Sequence, residues 1–264
     1  MARRTSDVPL HVVVMTLFPG MFTGVLGESM LKRAQEAGAL RVELVDFREY
    51  ATDRHRTVDD APYGGGAGML LKPDPIFAAM DDLRARVGPG SPPEERIILL
   101  SPSGRRFTQA VAEEYAKSQR LVMLCGHYEG FDDRVRQGLA TEELSLGDFV
   151  LTGGEIAAMA VIDAVARLLP GVLGNAASAE EESHTSGLLE YPQFTRPAEF
   201  RGMRVPETLL SGHHQKIEVW RRKHALYRTW KYRPDLLQNA QLTERDREWL
   251  RAFAAGDFSG IDVW

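Results

Sequence analysis

The chain has 264 residues, of which 44% are hydrophobic and 26% charged, a composition typical of a globular protein with one large domain or two ordinary ones. Its formal net charge of −5 argues against a protein that coats nucleic acid indiscriminately, although it leaves room for a local basic face. Cys125 is the single cysteine, which excludes an intrachain disulfide and suits a reducing compartment.

Strand and helix patterns alternate along the first two thirds of the chain. β-branched and apolar runs predict strands, and apolar residues at helical spacing predict helices. The predicted strands are 12–17, 42–47, 97–100 and 121–125, and the predicted helices are 19–32, 73–86 and one that begins at Thr108. This alternation up to about residue 170 predicts a parallel α/β layer.

Neither a targeting segment nor a membrane span is predicted. Residues 1–18 faintly mimic a secretory signal, but no small-residue cleavage site follows and Pro19 ends the apolar run. The most apolar window, 156–169, predicts a helix that is interrupted by Asp163 and Arg167 and is too short to cross a bilayer. We therefore expect a cytoplasmic protein with no membrane partner.

Two polar stretches follow the second predicted strand. Residues 53–60 are almost wholly polar and are either a solvated loop or an ordered loop that meets a charged partner. The glycine run 62–68 lacks the Gly-Lys-Ser/Thr ending of a phosphate-binding loop and the third glycine of a dinucleotide fingerprint. By itself this run is most often a flexible turn, and it disfavours a nicotinamide-dependent dehydrogenase.

Three glycine-bearing turns, each after an apolar run, organise the middle of the chain. They are LLSPSG at 99–104, CGHYEG at 125–130 and LGDFVLTGGE at 146–155. Glycine lets backbone N–H and C=O groups approach a ligand, and such turns gather at the carboxyl edge of an α/β sheet, where ligands usually bind. Together they predict one composite pocket, with tight strand–helix packing as the alternative.

Cys125 and His127 are two residues apart and share one side if this segment is extended. A thiol nucleophile or a metal pair is one interpretation. One cysteine and one histidine cannot complete a structural zinc site, so a buried apolar cysteine is the favoured interpretation.

The last third of the chain has a different composition. Residues 175–187 are rich in Ala, Ser and Glu and predict a linker. Beyond it, helix patterns cover 216–227, 234–239 and 243–255, and the last of these begins with the capping-box spacing of Thr243 and Asp246.

Basic and aromatic residues are interleaved between positions 213 and 233. The basic residues are Lys216, Arg221, Arg222, Lys223, Arg228, Lys231 and Arg233, and the aromatic ones are Trp220, Tyr227, Trp230 and Tyr232. This combination is typical of surfaces that bind phosphates and unstacked bases. Because Ile217, Trp220 and Tyr227 share one helical face, we predict a mostly structural aromatic stripe and RNA-facing arginines.

These motifs resemble those of the bacterial tRNA (guanine-N1)-methyltransferases of the knotted SPOUT superfamily. The matching stretches are LSPxG, CGxYEG, GDxVLxGGE, 53–60, 62–69, 170–174, 191–197 and 210–212, so the resemblance covers about residues 10–240. It implies a knotted methyltransferase domain at 1–173, a linker at 174–187 and a small all-α tRNA-binding domain at 188–264. The implied deep trefoil knot overrides the general rule that chains are not knotted.

The resemblance also implies S-adenosylmethionine (AdoMet) as cofactor. Main-chain donors and acceptors of the three turns would read the adenine, and Glu129 would favour the cationic sulfonium. The implied cofactor-binding residues are Leu100, Ser101, Pro102, Gly126, Tyr128, Glu129, Ser145, Leu146, Gly147, Leu151, Gly153 and Gly154.

Two catalytic residues follow from the same resemblance. Arg167 would stabilise the charge that develops on guanine O6, and an ion pair with Asp163 is its alternative role. Glu182 would be the general base, at a position where other members carry an aspartate. Its neighbours Glu180 and Glu181 leave the register open by a residue, and a solvated acidic linker is the alternative interpretation.

The implied substrate is tRNA, at the guanosine 3′ of the anticodon that another guanosine precedes. The implied enzyme is a homodimer, with each active site shared between one subunit's knot and the other's linker and helical domain. Mg²⁺ assistance is also implied, although the sequence shows no dedicated metal cage. The alternatives are a ribose 2′-O-methyltransferase and a non-catalytic RNA-binding module.

Overall fold

The computed structural model describes residues 8–173, 183 and 187–262. The chain divides into two compact units, Met1–Gly174 and Asn175–Trp264. Glu182 and most of the predicted linker lie outside the described residues.

The first unit is built on a parallel sheet with strand order β2-β1-β6-β5-β7. A short antiparallel ribbon of β3 and β4 accompanies it. The strands are β1 (Leu10–Thr16), β2 (Leu40–Asp46), β3 (Asp59–Asp60), β4 (Leu70–Leu71), β5 (Glu95–Arg106), β6 (Arg120–Cys125) and β7 (Glu142–Ser145). The predicted parallel α/β layer is confirmed.

Helices cover both faces of this sheet. They are α1 (Thr23–Leu26), α2 (Ser29–Glu36), α3 (Pro73–Val87), α4 (Gln109–Tyr115), α5 (Asp133–Gly138) and α6 (Glu155–Ala166), with 3₁₀ turns at Pro19–Phe22 and Phe47–Tyr50. Side chains of β1 alternate between the faces: Val12 and Val14 join the cluster that contains α6, whereas Val13 and Met15 join the cluster that contains α3. Thr108 begins α4 as predicted, because its hydroxyl accepts from the backbone N–H of Val111 (3.4 Å).

Two sequence-based expectations for this unit are wrong. The predicted helix 19–32 is a 3₁₀ turn and two short helices, separated at Glu28, whose backbone is extended. Residues 99–104 are not a turn after a strand, since β5 continues to Arg106 and its register against β7 shifts between Leu100 and Arg105. Residues 101–104 therefore bulge out of the ladder.

The second unit is mainly helical. It contains a two-stranded ribbon, β8 (Glu199–Phe200) and β9 (Met203–Arg204), and helices α7 (Glu207–Leu210), α8 (His214–Tyr232) and α9 (Glu244–Ala254). The ribbon is an addition to the predicted all-α domain, and α8 is longer than the predicted 216–227. The capping box at α9 is confirmed: Thr243 N–H donates to the Asp246 carboxylate (2.8 Å), and Asp246 N–H donates to the Thr243 hydroxyl (3.2 Å).

The core of the second unit contains the aromatic stripe. Leu226 and Phe253 are fully buried, and Tyr227 and Trp230 pack against them. The structural interpretation of these aromatic side chains is confirmed. None of the described helices combines the length and the apolar character needed to cross a membrane.

Candidate active site

A cavity of about 510 Å³ lies at the carboxyl ends of β6 and β7, beside the bulge in β5 and the start of α6. Its size falls within the usual range for small-molecule sites. The lining comes from residues 99–103, 126–131, 143–146 and 149–154, with Asp133, Arg136 and Ala157. The three glycine-bearing motifs therefore meet at one pocket, as the sequence predicted.

The cavity brings together most of the predicted cofactor-binding residues. Those that line it are Leu100, Ser101, Pro102, Gly126, Tyr128, Glu129, Ser145, Leu146, Leu151, Gly153 and Gly154. Gly147 is not among the lining residues; its N–H donates to the Ser145 hydroxyl (3.2 Å), which donates to the Gly147 carbonyl (3.1 Å). Gly147 thus shapes the third motif without facing the cavity.

Gly154 holds the third motif close to the end of β6. Its N–H donates to the Gly126 carbonyl (2.9 Å), and a Cβ added to it would lie 2.8 Å from the Cα of Cys125. An added Cβ on Gly126 would lie 2.8 Å from the Phe131 ring. These glycines therefore permit tight packing between the motifs, which supports the packing interpretation, whereas their contact with a ligand stays a prediction.

The glycine run 62–68 ends at the rim of this cavity. Gly68 has φ +85°, and an added Cβ would overlap the Glu129 side chain. Glu129 N–H donates to the Met69 carbonyl (3.0 Å), and Leu71 N–H donates to the Gly130 carbonyl (2.8 Å). At this end the run is anchored to the second motif.

The preceding loop, 53–60, is ordered around Asp53. The Asp53 carboxylate accepts from the N–H groups of His55 (3.2 Å) and Thr57 (2.9 Å) and from the Thr57 hydroxyl (2.8 Å). The hydrogen bonds from Thr57 lower the pKa of Asp53. These hydrogen bonds order this part of the segment, but residues 52–57 are exposed to solvent, which also fits the solvated-loop interpretation; contact with a charged partner stays a prediction.

The charged side chains that line the cavity are mostly acidic. Arg136 pairs with Asp133 (2.6 Å) and lies 3.8 Å from Glu143, whose carboxylate also accepts from the Ser103 hydroxyl (2.9 Å). The hydrogen bond from Arg136 lowers the pKa of Asp133. With Glu129, three carboxylates line the cavity against one guanidinium, which favours a cationic ligand.

Three of the charged residues that line the cavity were not predicted from the sequence. Asp133, Arg136 and Glu143 lie on α5 and β7, two elements that it did not predict. The available signal was the position of Glu143, two residues before the predicted contact Ser145.

Cys125 and His127 have separate roles. Burial raises the pKa of the Cys125 thiol well above its usual range, so the thiol is not an activated nucleophile. His127 lines the cavity, its ring 4.8 Å from that of Phe18 and 5.5 Å from that of Tyr128. The interpretation of Cys125 as a buried apolar residue is confirmed.

One of the two predicted catalytic residues, Arg167, is not among the residues that line the cavity. Arg167 is half-buried just after α6, ten residues beyond Ala157, the last lining residue of that helix. Ten helical residues span about 15 Å, further than an arginine side chain extends. Glu182 lies outside the described residues.

Two arginines of the basic stretch are paired with carboxylates of the second unit. Arg222 pairs with the buried Asp246 (2.8 Å) and donates to the Gln241 carbonyl (3.0 Å). Arg233 pairs with Asp235 (2.7 Å). The expectation that every arginine faces RNA is therefore wrong for Arg222, whose pairing lowers the pKa of Asp246 against the opposing effect of burial.

The fold and the cavity define a class of protein: a parallel α/β protein whose strand-end loops offer bare backbone and carboxylates to a ligand.

Comparison with known sequences gives the family. The family model described as tRNA (Guanine-1)-methyltransferase TrmD matches residues 10–239. The tRNA (guanine-N(1)-)-methyltransferase of Geobacillus kaustophilus is 60% identical over 242 residues, 92% of this chain and 97% of the relative. The protein of the same name from Bacillus subtilis is 56% identical over 241 residues, 91% of this chain and 98% of the relative. The chain belongs to the tRNA (guanine-1)-methyltransferase family, which confirms the resemblance drawn from its motifs.

Proposed function

We propose that this chain transfers a methyl group from AdoMet to N1 of the guanosine 3′-adjacent to the anticodon in tRNA. The observation that carries the proposal is the cavity in which the three family motifs meet. Family membership over residues 10–239 supports the reaction class.

The cavity suits AdoMet, which supplies an electrophilic methyl group when it is bound. Main-chain groups of the lining loops 126–131 and 149–154 that are not already paired with each other can pair with the ring nitrogens and amino group of adenine. The carboxylates of Glu129, Asp133 and Glu143 line the cavity and favour binding of the positively charged sulfonium group of AdoMet. The proposal includes the trefoil knot, and the pairing of His127 with Gly153 supports the close meeting of loops that a knot requires.

The chemistry needs a base and an electrostatic partner. Guanine N1 carries a proton and becomes nucleophilic only when that proton is removed, with negative charge moving towards O6. We assign proton removal to Glu182 and stabilisation of O6 to Arg167.

The position of Arg167 supports a homodimer. Arg167 lies about 15 Å along α6 from the cavity of its own chain, so we propose that it acts at the cavity of a second copy. This differs from the arrangement implied by the family resemblance, in which the second subunit supplies only its linker and helical domain.

Mg²⁺ assistance is also part of the family expectation for this chain. Within residues 8–173, 183 and 187–262, no group of three or more His, Cys, Asp or Glu side chains is arranged to hold a metal ion. Methylation measured in EDTA and again with added Mg²⁺ tests whether the metal assists the reaction.

The second unit is proposed to bind the tRNA. Lys216 is exposed at the start of α8, and Arg228 is half-buried further along the same helix. These side chains would contact phosphates, and the mostly buried aromatic side chains of the stripe would fix the helix that carries them.

Transfer of labelled methyl to an unmodified tRNA transcript tests the proposed function. We expect incorporation with guanosine at the target position, none with adenosine, and 1-methylguanosine in the mass spectrum of the digested RNA. A methyl on ribose O2′ would replace the proposal with the 2′-O-methyltransferase alternative. Absence of AdoMet binding by calorimetry would favour a non-catalytic RNA-binding module.

The assignment of the base has its own test. In Glu182→Gln we expect single-turnover methylation to fall about a hundredfold, because general-base catalysis is typically worth 10²–10⁴ in rate, while the AdoMet Kd stays unchanged. Wild-type rates in this variant would remove Glu182 from the mechanism. Glu180→Gln and Glu181→Gln are the matched controls for the register.

A further inference from the structure

Glu155, the first residue of α6, is a buried carboxylate without a cationic partner among the described residues. Only 1% of its surface is exposed, and none of the described ion pairs includes it. Its charge is instead stabilised by two groups. The hydroxyl of Thr16, itself fully buried at the end of β1, donates to it over 2.7 Å, and the N-terminus of α6 favours a negative charge.

Thr16 and Glu155 connect the first strand to two of the cavity-lining motifs. The Thr16 hydroxyl also accepts from the Phe18 N–H (2.9 Å), and the Phe18 ring lies 4.8 Å from that of His127. His127 in turn pairs with the backbone of Gly153.

Gly153 lies next to both Glu155 and His127. A Cβ added to Gly153 would overlap the Glu155 carboxylate and would lie 2.8 Å from His127 Cδ2. The end of β1, the second motif and the third motif are thus packed around one carboxylate.

We infer that Glu155 is a positioning residue, which acts through its hydrogen bond with Thr16 to hold the second and third motifs in the geometry that binds the cofactor. This inference rests on the proposed binding of AdoMet in the cavity. Glu155 is not among the residues that line the cavity, so it acts through Gly153 and His127 rather than by touching the ligand.

The hydrogen bond is the interaction that matters for this role. A hydrogen bond to a charged group contributes more than a neutral one, and loss of the buried donor leaves the carboxylate under-satisfied. The two motifs would then occupy the binding geometry for only a fraction of the time, and the apparent Kd rises in inverse proportion to that fraction.

Substitutions of Thr16 test the inference, with AdoMet binding to the full-length protein measured by calorimetry. We expect Thr16→Val to raise the AdoMet Kd at least tenfold and Thr16→Ser, which keeps the hydroxyl, to restore binding to within about threefold of wild type. If Thr16→Val does not fold, Thr16→Ala takes its place, since it removes the hydroxyl without adding a methyl group. Equal AdoMet affinity in the hydroxyl-lacking variant and the wild type would overturn the inference.

Thr229→Val is the matched control for the loss of a buried hydroxyl. Thr229 is fully buried in α8, donates to the Ala225 carbonyl (2.7 Å) and accepts from the Leu189 N–H (2.9 Å), all within the second unit. We expect it to lower thermal stability without changing the AdoMet Kd. A rise in Kd equal to that of Thr16→Val would show a general effect of instability and would count against the inference.

Glu155→Gln separates positioning from a direct effect of charge on the sulfonium. Glutamine still accepts from the Thr16 hydroxyl, so the ratio of the Kd values for AdoMet and for its neutral product S-adenosylhomocysteine should stay within about twofold of wild type. A tenfold loss of preference for AdoMet would mean that the charge acts on the ligand and would overturn the positioning role. Wild-type protein that binds neither ligand would refute the proposed function instead, so the two failures are distinguishable.

Discussion

Gly154→Ala tests whether the candidate site depends on bare backbone at the end of β6. The added Cβ would lie 2.8 Å from the Cα of Cys125 and 3.3 Å from the backbone N of Gly126. Neither atom can yield easily, because β6 is hydrogen-bonded to β1 on one side and to β5 on the other. The third motif must therefore move away from the strand, by several tenths of an ångström.

The cost of that movement follows from the packing. Overpacking by one methyl group in a closely packed site typically costs about 1–3 kcal/mol. If that cost falls on the binding geometry of the third motif, the AdoMet Kd rises by about 5- to 150-fold, since 1.4 kcal/mol is a factor of ten. Calorimetric titration with AdoMet measures the Kd, and a thermal melt by circular dichroism shows whether the fold survives.

Gly24→Ala is the matched control. No atom lies within 4 Å of the Cβ that would be added to Gly24 in α1, and its backbone is not in the left-handed region. Alanine there should leave AdoMet binding unchanged and stabilise the fold by about 0.5–1 kcal/mol. If Gly154→Ala bound AdoMet within twofold of wild type, the close approach at β6 would be irrelevant to the site and the geometric reasoning would be refuted.

Two further predictions concern the second unit. Burial lowers the pKa of His224, so the unfolded chain binds more protons than the folded chain. The unit should therefore lose stability as the pH falls through about 6.5, and His224→Gln should reduce this pH dependence of the free energy of unfolding. Urea unfolding followed by tryptophan fluorescence measures this unit alone, because all four tryptophans lie in it; an unchanged pH dependence in the variant would contradict the assignment. Lys216→Ala should weaken tRNA binding and reduce the slope of log K against log salt by about 1. The ion-paired Arg233 should contribute less, and equal slopes for Lys216→Ala and wild type would exclude a phosphate contact at Lys216.

The parts of the fold that could be predicted from sequence depend on local signals. The β-branched run of β1 and the apolar run of β6 predict buried central strands, and the structure pairs them side by side. Glycines in the three motifs predicted the cavity for the same reason, because one in each motif, Gly104, Gly126 or Gly154, marks a close approach of its backbone to a neighbouring segment.

What could not be predicted depends on partners distant in sequence. β7 is only four residues long, and two of them are glutamates. Glu142 pairs with Arg96 (2.9 Å) and Arg105 (2.9 Å), so its charge is neutralised by the neighbouring strand β5. Read alone, such a segment has the composition of a loop.

The basic stretch of α8 shows the same limit. Arg222 is separated by 24 residues from the carboxylate of Asp246 that neutralises it, and that carboxylate also caps α9. No pattern within α8 distinguishes this paired arginine from one that is available for RNA.

Arg167 leads to the last prediction, which is about the assembly of the active site. If Arg167 serves the cavity of a second copy, a dimer that combines an Arg167→Ala chain with a Gly154→Ala chain has one intact site, made of the unaltered cavity of the first and the unaltered arginine of the second. Random mixing makes about half of the dimers mixed, and each mixed dimer has one of its two sites restored. About one quarter of wild-type methylation should therefore return when the two impaired proteins are refolded together and assayed at an AdoMet concentration well below the Kd of the Gly154→Ala cavity. If Arg167 served its own cavity, each site of the mixed dimer would carry one defect. Mixed dimers would be verified by two affinity tags. Methylation that stays at the level of the separate variants would therefore show that Arg167 does not act at the cavity of a second copy.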